Sequence, residues 1–276
     1  MANPILNEKA LKEATQAGYA SGAWAPPQGR NTPIPGVPMT DGPISDWNRT
    51  AMSVEGTVTA TGVLFVVLLA AAVGGWSLVK TEEGVITAFP SWIIGGVLIG
   101  FGCVIAMRFK PQWAKPLGLV YAVVEGIVVG AISHAYEVYQ NGIVIQAVGA
   151  TVAVFAVMLF LYRTNIIKVT DRMRRIVIGA TMGIMVFYGI SLLINLFGGE
   201  VSFLRSDNTS ALSIGFSFLV AGLAAFNLAL DFDFIDKGTQ QGLPKQMEWV
   251  AAVGLMVTIV WLYLEILRLL SKLNRR

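Results

Sequence analysis

The stretch WVAAVGLMVTIVWLYLEILRLL, residues 249–270, decides the fold. It runs for 22 residues with only Glu265 and Arg268 charged. About 20 consecutive apolar residues are what a helix needs to cross a hydrocarbon layer. Six more blocks of this kind precede it, at about 57–79, 91–109, 117–136, 143–162, 175–197 and 211–235. The composition agrees: 55% of the 276 residues are hydrophobic and only 13% charged, and the mean hydropathy is +0.65. A soluble domain carries about 25% charged residues to solvate its surface, so a water-soluble globule is excluded. In lipid each block must satisfy its own backbone hydrogen bonds, which a helix does without a closed barrel. These features predict an all-α integral membrane protein of seven transmembrane helices, with sequence neighbours antiparallel because the connections are short.

Residues 1–52 are of another kind. Seven of the eleven prolines fall there, mixed with Gly, Asn and Thr. Such a segment has too little apolar surface to offset its ordering entropy and reads as a disordered tail before a membrane domain at 53–276. No apolar core follows its start, so it is not a signal peptide.

The net charge of +3 does not describe a nucleic-acid surface. The basic residues sit at the ends of apolar blocks, where they act as topology signals. Ten Lys and Arg lie in the loops after blocks two, four and six, against Lys80 and Arg205 on the other side. That asymmetry places the N-terminus in the cytoplasm. Seven crossings then put Lys272, Arg275 and Arg276 outside, a conflict that a last segment failing to cross would resolve. The single cysteine, Cys103, lies in an apolar block and reads as packing. The single histidine, His134, excludes a multi-histidine metal site. The pairs Gly96/Gly100 and Gly126/Gly130 would let helix backbones approach closely.

An ionisable side chain at the centre of a span costs at least about 2.5–3.5 kcal/mol, so each one needs a reason. Arg108 ends block two, Glu125 lies in block three, Asp231 and Asp233 near the end of block six, and Glu265 inside block seven with Arg268 three residues on. Each has a plain reading. Arg108 can snorkel to the headgroups, Glu265 and Arg268 can satisfy one another at i, i+3, Asp231 and Asp233 can form a solvated helix end with Asp236, and Glu125 can hydrogen-bond across a helix pair. Asp231 and Asp233 point about 200° apart, so both cannot face the bundle axis. The sharper reading joins Asp231 and Glu265 from adjacent helices. Two carboxylates in one low-dielectric site cannot both ionise cheaply and so form a proton switch, with Arg108 bridging to the ionised form. Their oxygens also suit a hard cation such as Ca²⁺.

Three segments carry a family resemblance. MRFKPQWAKPLGLVYAVVEG (107–126) resembles the second-span exit and third-span entry of the Bax inhibitor-1 family, the transmembrane Bax inhibitor motif proteins. GAISHAYEVYQNGIVIQAVGATVAVFAVML (130–159) is similar to the hairpin that follows, with Ser133, His134, Gly142, Ala147 and Phe155 in matching places. LALDFDFI (228–235) and LYLEILRLL (262–270) resemble the acidic signatures of its sixth and seventh spans. The resemblance covers about 55–272 and leaves the Pro-rich tail outside. It implies seven helices with the seventh central, and a pH-sensitive Ca²⁺ leak in a bacterial cell membrane. It implies that Asp231 and Glu265 form the gating dyad and that Arg108 contacts it; Asp233, Glu125, His134 and Arg268 stand beside these as candidate accessory polar groups. Glu265 departs from the family's aspartate, and Asp233 is an added acid.

On this basis the partners are the bilayer, Ca²⁺ as transported ion, and other membrane proteins through the tail. No resident cofactor, no metal beyond transient Ca²⁺ and no enzymatic activity are expected. Two alternatives stay open: a proton-coupled cation exchanger, and a non-conducting regulator of a membrane protease. Ser133 and His134 are adjacent and no Gly-x-Ser-x-Gly occurs, which disfavours a hydrolase. No lysine falls within 249–270, which removes a Schiff-base chromophore.

Overall fold

The computed structural model describes residues 51–82, 85–88, 93–199, 201 and 208–275. Apart from Ala51 and Met52, the tail expected over 1–52 lies outside the described residues, as do Arg205 and the expected start of the second block at Ser91. The described residues form seven helices: α1 (Val54–Leu78), α2 (Ile93–Phe109), α3 (Ala114–Tyr139), α4 (Ile143–Arg163), α5 (Asp171–Leu196), α6 (Ala211–Gln240) and α7 (Met247–Asn274). A short antiparallel hairpin, β1 (Lys80–Glu82) with β2 (Val85–Ala88), joins α1 to α2. It departs from the all-α expectation, being too short for an apolar-block reading to reveal.

Six of these helices are long and apolar enough to cross a membrane. The exception, α2, has 17 residues, short of the ~20 that a hydrocarbon layer requires. The chain is therefore a multi-pass helical membrane protein with six helices of spanning length among the described residues and one shorter apolar helix.

Polar caps set where several helices begin. Ser53, Thr170 and Ser210 stand just before α1, α5 and α6, each accepting a backbone N–H from the first turn at 3.0, 3.2 and 3.3 Å. Ser53 is itself held from across the bundle: its N–H and hydroxyl donate to Glu248 Oε1 at 3.0 and 2.9 Å. A carboxylate at a helix N-terminus is favoured by the orphan N–H groups and the helix dipole, which accounts for a Glu248 only 4% exposed. Met52 donates to the Leu243 carbonyl at 2.6 Å and is buried, so the folded body includes it.

The tightest helix pair is α1 with α3, which run parallel. A Cβ on Gly126 would overlap the Leu68 carbonyl and Ala71, one on Gly130 the Ala72 carbonyl, and one on Gly75 the backbone of Ile127. The expected close approach at Gly126/Gly130 is thus real, and Gly75 completes it from the facing helix. Gly96 and Gly100 of α2 meet side chains of α3 instead, Val128 and Val124 at one, Tyr121 and Glu125 at the other. Toward lipid, α1 exposes Val58, Val66 and Val73.

Helix α7 is the most enclosed: 67% of its apolar window is buried, against 11% for α5. It packs on α1, α3, α4 and α6, whereas α2 packs on α3. Glu248 lies in the first turn of α7 and Lys272 in its last, so they stand at opposite ends of the bundle. Lys272, counted by sequence among the tail charges, lies inside α7 and is fully buried. It is therefore not a loop charge, which weakens the topology conflict, and it is the lysine that a boundary at residue 270 left out of the last helix.

Candidate functional site

The register of α6 against α7 decides which acids can meet. Lys272 Nζ donates to Ser213 Oγ at 2.7 Å, to Ser217 Oγ at 2.9 Å and to the Ser213 carbonyl at 3.4 Å. Three acceptors use all three protons of the ammonium. These bonds pin two antiparallel helices, in which positions advance in opposite senses. Fourteen residues on from Ser217 is Asp231, and fourteen back from Lys272 is Thr258. Asp231 accordingly faces Thr258 and Gly254: its Oδ1 lies 4.0 Å from where a Gly254 Cβ would stand, and the Thr258 hydroxyl interacts with its carboxylate.

Glu265 is seven residues beyond Thr258, about 10 Å further along the axis. Asp231 and Glu265 therefore do not form the expected dyad. Glu265, 1% exposed, is satisfied elsewhere: Arg268 Nη1 donates to its two oxygens at 3.0 and 3.1 Å, and the Tyr188 hydroxyl donates to Oε1 at 2.7 Å. The plain i, i+3 reading of Glu265 with Arg268 is the one the structure forms. Arg268 Nη1 also donates to Tyr188 Oη at 2.7 Å, and its guanidinium lies 5.3 Å from the centre of that ring. The expected bridge from Arg108 is absent as well. Arg108 ends α2, is exposed, and pairs with no carboxylate among the described residues. Its helix packs chiefly on α3.

Asp231 is left with an unbalanced carboxylate. The residue as a whole is partly exposed, yet its Oδ2 is buried and has no hydrogen-bond partner. Asp233 is neutralised: Lys237 reaches its Oδ2 at 2.9 Å from one turn on, and Arg174 of α5 makes a short charge-assisted bond to the same oxygen. Glu125 is half-buried with its carboxylate under Gly100. His134 stacks on Trp76 with ring centres 4.7 Å apart, and its Nδ1 lies 2.7 Å from the Trp76 carbonyl. An N–H there caps one of the last carbonyls of α1, so His134 ties α3 to α1. Its neighbour Ser133 shares a 2.7 Å hydroxyl bond with Tyr263 of α7. Among the described residues no three His, Cys, Asp or Glu converge on a metal position.

Helix α5 shows what the sequence reading missed. It is held to its neighbours by three polar links: Arg174 to Asp233, Thr181 Oγ1 accepting from Asn227 Nδ2 at 2.9 Å, and Tyr188 to Glu265 and Arg268. Arg174, Thr181 and Tyr188 recur every seven residues, and so do its buried residues Val177, Ile184 and Ser191. The two series interleave as the a and d positions of a heptad seam. The signal was present as spacing, but Thr and Tyr carry no charge to draw attention. Interhelical polar contacts of this kind hold membrane helices together where lipid gives no hydrophobic drive.

Fold and site together define a helical membrane protein whose last helix gathers the polar groups of its neighbours. The family model described as Bax inhibitor 1 like matches residues 3–275. The chain belongs to that family, and the match takes in most of the N-terminal segment that the resemblance had left outside. No curated protein matches it.

Proposed function

We propose that the chain is a pH-sensitive leak for Ca²⁺ across its membrane, gated through Asp231 alone and not through a carboxylate pair. The observation that carries this reading is the buried, unpartnered Oδ2 of Asp231 inside a spanning helix. A carboxylate so placed is costly as an anion and is kept for a purpose, with a proton or a cation to neutralise it. Across the α6–α7 contact it faces the Thr258 hydroxyl, whose proton is given to the Gly254 carbonyl, so the anion finds no donor there. Protonation removes the buried charge and lets the carboxyl donate to the Thr258 hydroxyl oxygen, and α7 shifts against α6. The carboxylate, the Thr258 hydroxyl and the Gly254 carbonyl that this hydroxyl meets at 3.2 Å are the oxygen ligands a hard cation prefers. Glu265 offers no such oxygen, since Arg268 and Tyr188 occupy both. The chain works as a conduit without a resident cofactor, its N-terminus on the basic, cytoplasmic side.

The test is Ca²⁺ flux into proteoliposomes across a pH series. Wild-type flux is expected to rise on acidification, Asp231→Asn to conduct independently of pH, and Arg108→Gln to keep the wild-type profile. An Asp231→Asn variant that retains the wild-type pH dependence would overturn the reading. So would Ca²⁺ accumulation driven uphill by a pH gradient, the mark of an exchanger, or no flux at all, the mark of a non-conducting regulator.

A further inference from the structure

A cavity of about 780 Å³ lies among α1, α4, α6, α7 and the α4–α5 loop. Its walls are apolar: Val58 and Phe65 from α1, Phe155 and Leu159 from α4, Ile259 from α7. Val58 is 65% exposed, so the side formed by α1 opens where lipid would lie. At the mouth stand Arg163, at the end of α4, and Lys168, in the loop. Asn165 takes a left-handed backbone, φ 56°, and folds the loop back so that Ile167 and Val169 pack on the core with Lys168 between them. Both cations are exposed, and neither has a carboxylate partner among the described residues. Of the two acids in the same lining, Asp233 is paired with Arg174 and Lys237, while Asp236 keeps its charge and accepts from the neutral Tyr162 hydroxyl at 3.4 Å. Arg163, Lys168, Arg174 and Lys237 against Asp233 and Asp236 leave the charge around the mouth positive.

An apolar trough open to lipid, of a size that takes one small amphiphile, with two free cations at the water boundary, matches one kind of occupant. We propose that it is a binding site for a single anionic phospholipid, with an acyl chain along α1 and α4 and the phosphate at Arg163 and Lys168. Basic pockets between membrane helices bind anionic headgroups on this principle, and a guanidinium meets a phosphate in fork geometry. The site is separate from Asp231 and does not depend on the leak.

Native mass spectrometry of the delipidated full chain, titrated with phosphatidylglycerol or phosphatidylcholine of identical acyl chains, tests this. Wild type should prefer phosphatidylglycerol by about thirtyfold, as two surface cations supply. Arg163→Gln with Lys168→Gln should abolish the preference while leaving the melting temperature unchanged, since both side chains are exposed. Leu159→Trp should weaken both lipids by narrowing the trough. Equal binding of the two lipids by wild type, or an undiminished preference in the double variant, would overturn the proposal. So would a full chain that binds neither lipid while a photo-crosslinker on Leu159→Cys captures residues 1–50, because the occupant would then be the chain's own N-terminal segment.

Discussion

Removing the Tyr188 hydroxyl and the Glu265 charge, singly and together, probes how α5 is held. The carboxylate is 1% exposed and takes one bond from Tyr188 at 2.7 Å and two from Arg268 at 3.0 and 3.1 Å. In a water-soluble protein a hydrogen bond to a charged group contributes about 1.5–3 kcal/mol. Between membrane helices the measured couplings average about 0.6 and reach about 1.7 kcal/mol, because the separated helices also find polar partners. Tyr188→Phe leaves the Glu265–Arg268 pair intact and should cost about 1 kcal/mol. Glu265→Gln strands Arg268, whose side chain is only 26% exposed, and removing one partner of a buried pair costs about 3–5 kcal/mol. Once Glu265 is Gln, the Tyr188 hydroxyl no longer donates to a carboxylate and keeps only its bond from Arg268, so in the double variant the two effects should fall short of additivity by about 0.6–1.7 kcal/mol. Reversible unfolding in mixed micelles gives the three differences. Hydrogen exchange gives the location: both single variants should open α5, the least buried span, before α1. Effects that add to within about 0.3 kcal/mol, or exchange that rises equally in α1 and α5, would refute the polar-seam account.

Further outcomes follow from other contacts. Gly130→Ala should destabilise the protein by about 1–3 kcal/mol, since its methyl meets a backbone carbonyl of α1 that cannot give way. Gly149→Ala, with nothing within 4 Å, should instead gain about 0.5–1 kcal/mol, and the two are compared in the same micelle assay. Glu248→Ala should cost about 1–3 kcal/mol by leaving the Ser53 N–H and hydroxyl without their acceptor. Protease cleavage near residue 53 should rise in step with that loss.

Chain composition and block length determined the membrane class and the seven apolar helices, because lipid imposes a simple demand: about 20 apolar residues, each with its own helical hydrogen bonds. That demand can be read residue by residue. Gly126 and Gly130 were legible for the same kind of reason, since a missing side chain matters wherever a backbone arrives. Which acids meet was not legible. Asp231 and Glu265 both lie on adjacent antiparallel helices, and a pairing of these two is as plausible from spacing as any other. The register that separates them comes from Lys272 seated on Ser213 and Ser217, a contact between residues 55 and more positions apart. The partners of Asp233 and Glu265 on α5 are hidden for the same reason. A charge shows in the sequence, but what neutralises it depends on the rotation and height of a neighbouring helix, and only packing sets those.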